Sequence, residues 1–168
     1  GHLPTDPLLR AALRKERGLR AGRRLTHVFV MDVPGTAHPL VISDAAINIA
    51  PDLATKADIV QNAIDLAISL GSPEPRVAVL SAMESVNPDI PSSLDAALLS
   101  KMAERGQIRG GLVDGPLAMD NAVDLEAART KGITSAVAGR AQVLVVPNLD
   151  AGNMLVKALA YIGGGEAA

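Results

Sequence analysis

Residues 141–157 read AQVLVVPNLDAGNMLVK. An aliphatic run from Ala141 to Val146 halts at Pro147, a short polar link follows, and helical periodicity then runs from Ala151 to about Ile162. The run has the composition of a strand buried on both faces, and Asp150 is the expected helix cap. A buried strand that passes directly into a helix is the repeating unit of parallel α/β folds.

The same unit recurs upstream. Ile108 to Asp114 reads as a strand before a helix over Asn121–Lys131, and Arg76 to Ala82 as a strand before a helix that Ser92 or Ser93 caps and Gly106 ends. Leu25–Asp32 and Pro39–Ser43 read as two further strands, joined by a link at Thr36-Ala37-His38 short enough for a hairpin. Pro51-Asp52 opens a helix through Leu70, stopped by Gly71 and Pro73. This order predicts a three-layer α/β/α sandwich whose sheet is mostly parallel, with right-handed crossovers and one antiparallel pair. Gly163-Gly164-Gly165 reads as a loose tail. At the other end, Pro7 to about Arg17 reads as a helix with Arg10, Arg14 and Arg17 opposite Leu8, Leu9, Ala12 and Leu13. The expected division is therefore a basic leading helix and linker over 1–24 and an α/β domain over 25–168.

Hydrophobic residues make up 48% of the 168, almost all of them aliphatic, which is enough for a sizeable core and argues against intrinsic disorder. Phe29 and Tyr161 are the only aromatics, so cohesion must come from many modest aliphatic burials, and base stacking on single-stranded nucleic acid is disfavoured. A net charge of −2 points the same way. The absence of cysteine excludes disulfides, zinc–cysteine sites and a thiol nucleophile. With no apolar run of membrane-spanning length and no signal-like start, a cytoplasmic protein is expected.

Open α/β sheets bind ligands beyond the carboxyl ends of their strands. That rule selects Met31-Asp32, Ser43-Asp44, Ser81–Glu84, Asp114-Gly115-Pro116 and Pro147–Asp150. Gly152 at a helix start permits close backbone approach, and free amides there favour an anion. Asn153 and Lys157, four apart, share one helix face, so an amide and an ammonium could hold a phosphoryl group; a capped helix with a surface lysine is the plainer alternative. Gly115-Pro116 reads as a rigid turn that aims Asp114 into the crevice or lets it cap nearby amides. Asp120-Asn121 reads as a helix cap. Signatures of P-loops, dinucleotide folds, zincins and serine hydrolases are absent. His2, His27 and His38 show no metal-ligand spacing, and His27 reads as a structural histidine. Nothing requires a metal, although Asp32, Asp44 and Asp114 could build one. Seven cations between Arg10 and Arg24 read as a solvated face or a docking surface.

From about Gly22 onward, the segments Val30–Pro34, Ser43–Ile49, Lys56–Ala63, Leu80–Glu84, Asp114–Ala122 and Val145–Asn153, in this order, resemble the phosphate acetyl/butyryltransferase family. The resemblance implies reversible acyl transfer between coenzyme A and inorganic phosphate, with coenzyme A as substrate and no other cofactor. It also implies an isopropylmalate-dehydrogenase-like two-domain subunit, usually a homodimer, of which this chain looks like the second domain. The first domain and a closing Ser-Arg stretch credited with catalysis are then expected elsewhere, so no catalytic residue is assigned. Gly152, Asn153 and Lys157 would line the phosphate or coenzyme A side, and Asp114 with Ser81 the opposite strand ends. Tyr161 stands where acetyl-type members tend to carry arginine, which suggests the butyryl side. Similar chains also occur behind an enoyl-CoA hydratase-like domain, so a bifunctional parent is one expectation. A non-catalytic module that binds coenzyme A or phosphate, or that serves oligomerisation, is the competing class.

Overall fold

The structure, a computed structural model, describes residues 22–168. The helix expected over Pro7–Arg17 lies outside them. Six strands form one sheet: β1 (Val28–Asp32), β2 (Leu40–Ser43), β3 (Arg76–Leu80), β4 (Leu112–Leu117), β5 (Val143–Val145) and β6 (Glu166–Ala167). The helices are α1 (Leu53–Ser69), α2 (Pro91–Glu104), α3 (Met119–Val123), α4 (Leu125–Thr130) and α5 (Leu149–Tyr161). Across the sheet the order is β4-β3-β5-β2-β1-β6. The first four strands run parallel, and β1 is antiparallel to both its neighbours.

Alternation along the buried strands builds two cores. Val77, Val79, Val143 and Val145 face α1 and α2, with Ile59, Ile64 and Leu99 from those helices. Their neighbours Ala78, Leu80, Leu144 and Val146 face the other way, toward Ala122, Ala128 and Val156 of α3, α4 and α5. Period-2 side-chain direction thus sends consecutive residues of one strand into different cores and places helices on both faces, a mixed α/β sandwich. Each buried Val, Leu or Ile contributes roughly 1.5–3 kcal/mol, which lets a chain nearly without aromatics hold together.

Several boundaries differ from the sequence expectation for identifiable reasons. Ile108, expected to start a strand, instead plugs the α1/α2 core from a loop, flanked by Gly106 and Gly110 at φ +77° and +94°. Sheet pairing begins only where the Leu112 amide meets the Pro75 carbonyl at 2.9 Å. The strand then continues through Gly115-Pro116, which is not a turn. Proline is tolerated because β4 is an edge strand. Gly115 is required by packing, since a Cβ there would lie 2.8 Å from the Val79 carbonyl oxygen and 3.0 Å from Ala96 Cβ.

The helix expected over Asn121–Lys131 is two short ones, broken at Asp124, whose carboxylate caps Ala127 N at 2.8 Å. Neither Ser92 nor Ser93 is the cap of α2; Ile90 holds that position with Pro91 in the first turn. Ser93 is buried and ties the preceding loop together, accepting from Asn87 N and donating to carbonyls of Asn87 and Ile90. The glycine tail is not loose: it leads into β6, where Ala168 N donates to Val30 O at 2.8 Å and Val30 N to Ala168 O at 3.2 Å.

Candidate functional site

The carboxyl ends of β4, β3, β5 and β2 lie side by side, and the segments that leave these strands form the candidate site. After β2, Asp44 is only 2% exposed, and its carboxylate accepts from the amides of Ala46, Ile47, Asn48 and His27 and from Asn48 Nδ2 at 2.6 Å. Its acceptor capacity is taken up in fastening this loop to the segment before β1. The loop in turn forms the floor under α5. Among the described residues no group of three His, Cys, Asp or Glu side chains converges as a metal site would require.

After β5, Asn148 rather than Asp150 caps α5, its Oδ1 accepting from Ala151 N at 2.9 Å. Leu149 N donates to Ile49 O, and Gly152 N to Asn148 O. Three of the four leading amides are therefore already engaged. Gly152 is buried, and a Cβ there would lie 2.7 Å from Val146 Cγ2 and 2.9 Å from Ala45 Cβ. The glycine lets the helix settle onto the β2 and β5 loops; its amide does not face outward to meet an anion. Asn153 is half-buried and Lys157 exposed, four apart on α5.

After β3, Ser81 is buried, its amide bonded to Leu117 O and its hydroxyl 2.9 Å from Ser92 Oγ at the start of α2. The register pairs Val79 with Val145, so Ser81 stands level with Pro147, about one strand spacing of roughly 5 Å away in the sheet direction. Ser81 and the start of α5 thus belong to neighbouring strand ends. Asp114 does not join them. It sits inside β4 paired with Ala78, its Oδ1 accepts from Gly115 N, and it lines a separate cavity of about 380 Å³ with Ser100, Glu104 and Thr134.

The residues that sequence reasoning passed over lie beside Ser81. Glu84, three residues beyond it, is gripped by Asn121 Nδ2 at 3.3 Å and by Lys131 Nζ at 3.6 Å. Asn121 is fully buried, not a cap, and among the described residues its Oδ1 has no donor. Leaving a buried acceptor unpaired costs about 1–3 kcal/mol, so an amide kept here is doing something an aliphatic side chain could not. Its place in a polar pair after a strand end resembled a helix start, which hid it. Lys56, 5% exposed on α1, reaches Asp95 Oδ2 on α2 at 2.9 Å and locks those two helices together.

Fold and site together define a parallel α/β domain with a polar crevice along its strand ends. Comparison with known proteins makes this specific. A family model described as "Phosphate acetyl/butaryl transferase" matches residues 3–168, which carries the resemblance upstream of Gly22. The chain belongs to that family. It is 61% identical over 168 residues to a phosphate acetyltransferase of Rhizobium meliloti, covering 100% of this chain and 53% of that protein. It is 46% identical over 161 residues to a phosphate butyryltransferase of Clostridium acetobutylicum, covering 96% and 54%. A crystal structure of a branched-chain phosphotransacylase from Enterococcus faecalis V583 superposes with a TM-score of 0.86 at 35% identity, over 100% of this chain and 60% of the other. The chain spans about half the length of the curated relatives it matches. Identity is higher to the acetyltransferase than to the butyryltransferase, opposite to the direction suggested by Tyr161 alone. No helix among the described residues is long and apolar enough to cross a membrane.

Proposed function

We propose that this chain is the second, isopropylmalate-dehydrogenase-like domain of a cytoplasmic, homodimeric enzyme that moves a short-chain acyl group between coenzyme A and inorganic phosphate. The family match over residues 3–168 carries the reading. Relatives about twice as long support a further domain of the same protein facing the strand-end crevice.

The chemistry is a direct displacement. A coenzyme A thiolate attacks the carbonyl carbon of an acyl phosphate, the carbon–sulfur bond forms, the carbon–oxygen bond to phosphate breaks, and phosphate leaves with that electron pair; the reverse direction exchanges the roles. Such a reaction depends on holding two charged substrates together and stabilising the developing oxyanion. On this chain, Asn153 and Lys157 would meet phosphate or the coenzyme A phosphates through their side chains. Gly152 would serve by setting the height of α5, and the Ser81–Ser92 hydroxyl pair would border the acyl carbon. Asp114, at a separate cavity, is left out of these contacts.

The test is acyl-CoA formation from acetyl phosphate or butyryl phosphate by the full-length protein. The expected result is transfer with both donors, loss of most activity in Lys157→Ala and Asn153→Ala through a raised KM for phosphate or coenzyme A, and no transfer by the 168-residue chain alone. A full-length protein that binds coenzyme A but forms no thioester would overturn the reading in favour of a binding module.

A further inference from the structure

Two neighbouring strand ends of the crevice carry opposite charge. Beyond β5 stand the Asn153 amide and the Lys157 ammonium; beyond β3 stands Glu84, with its side chain 29% exposed. The Glu84 carboxylate is held from two sides: Oε2 accepts from Asn121 Nδ2 at 3.3 Å, and Oε1 lies 3.6 Å from Lys131 Nζ. The orientation of the Asn121 amide follows from this contact, because a flipped amide would point its oxygen at a carboxylate. Asn121 is 0% exposed and its oxygen lacks a donor among the described residues, so holding Glu84 is the visible return for burying it.

We infer that Glu84 is the acceptor for a neutral donor on the pantetheine arm of coenzyme A, an amide N–H or the thiol, and that Asn121 is the positioning residue that aims it. The inference rests on the acyl-transfer reading above. A carboxylate repels phosphate and accepts hydrogen bonds only, so this end of the crevice is closed to the anionic substrate and open to donors. A ligand with phosphates at one end and N–H and S–H donors along its arm matches a crevice that is cationic past β5 and anionic past β3.

The experiment measures coenzyme A binding by titration calorimetry, and KM for coenzyme A and phosphate separately, in the full-length protein and its Glu84→Gln, Asn121→Leu and Lys131→Met variants. Glu84→Gln is expected to weaken coenzyme A about tenfold, the worth of one charge-assisted hydrogen bond, with KM for phosphate unchanged. Asn121→Leu is expected to shift the same constant in the same direction by less. Lys131→Met, at a side chain 51% exposed, tests the grip on Glu84 at a site where folding is not at stake. Unchanged coenzyme A affinity in Glu84→Gln, or a change in phosphate KM alone, overturns the inference while leaving acyl transfer standing. Wild-type protein that binds coenzyme A without transferring acyl groups overturns the acyl-transfer reading instead.

Discussion

Helices α1 and α5 follow adjacent parallel strands, β2 and β5, yet they settle on opposite faces of the sheet and are held quite differently. Helix α1 buries Thr55, Lys56, Ile59, Val60, Ala63, Ile64 and Ala67. It is also tied on every side: Arg23 to Asp65, Arg24 to Asp58, Lys56 to Asp95, and Gln61 to the backbone of Arg109 at both its amide and its oxygen. Helix α5 buries only Gly152 and Val156, and leaves Met154 at 69%, Tyr161 at 87% and Ile162 at 88% exposure. The contrast separates two uses of the same βα unit. One helix is committed to the domain; the other presents a face that the domain itself does not use.

The largest effect should come from the committed helix. Ile64 is fully buried and packs against the backbone at Gly110-Gly111, where a Cβ on Gly111 would already lie 3.1 Å from Ile64 Cγ1. Ile64→Ala should cost about 2–5 kcal/mol, read as a lowered midpoint in denaturant unfolding. A loss under about 1 kcal/mol would mean that α1 is no more embedded than α5.

Gly152→Ala probes the single place where α5 is as tightly seated as α1. A methyl group gains up to about 1 kcal/mol of helix propensity, but overpacking typically costs about 1–3. The clash should win, because one contact atom is Ala45 Cα at 3.1 Å, on a loop that the Asp44 hydrogen bonds hold in place. A stabilised variant would show that this loop yields, and that Gly152 serves a ligand and not the packing.

The βα order, the parallel sheet and the hairpin are legible in the sequence because they rest on period-2 and helical patterns local to each element. Helix α1 could be read nearly to the residue, since Asp52 caps it through Thr55 N at 2.8 Å and Gly71 sits past its end at φ +105°. The features that stayed hidden depend on distant partners. Nothing near Ile108 says that it will enter a core as a plug, and Gly115-Pro116 looks like a turn until β4 is known to be the sheet edge. Asn121 next to Asp120 has the local look of a cap; its real partner, Glu84, is 37 residues away. Site residues were visible as types at strand ends, but whether Gly152 faces an anion or Ala45 is a matter of packing alone.

His27 marks the seam where the segment before β1 is fastened to the Asp44 loop. Burial pushes its pKa below the ordinary 6.5, only partly opposed by the nearby Asp44 carboxylate, and its Nδ1 is buried without a partner among the described residues. The folded state therefore keeps the ring neutral while the unfolded chain protonates it near pH 6.5. Stability from this group is fully present above that pH and declines as pH falls through it, at no more than about 1.4 kcal/mol per pH unit for one proton. In His27→Phe, which keeps a ring beside Phe29 at its 4.4 Å centroid spacing, unfolding between pH 7 and 5 should lose that component of the slope. An unaltered slope would assign the acid sensitivity to other groups.

The smallest effect belongs to the open face. Met154→Ser removes a large apolar side chain that is 69% exposed, so little transfer energy and no cavity are at stake. Stability of the 168-residue chain should stay within about 0.5 kcal/mol. In the full-length protein the same substitution should cost more if the exposed face of α5 is covered by a second domain or subunit, because Met154 would then be buried there. The difference between the two losses measures that cover directly. Equal, near-zero losses would mean that Met154, Tyr161 and Ile162 stay in water, and that the asymmetry between α1 and α5 has no partner behind it.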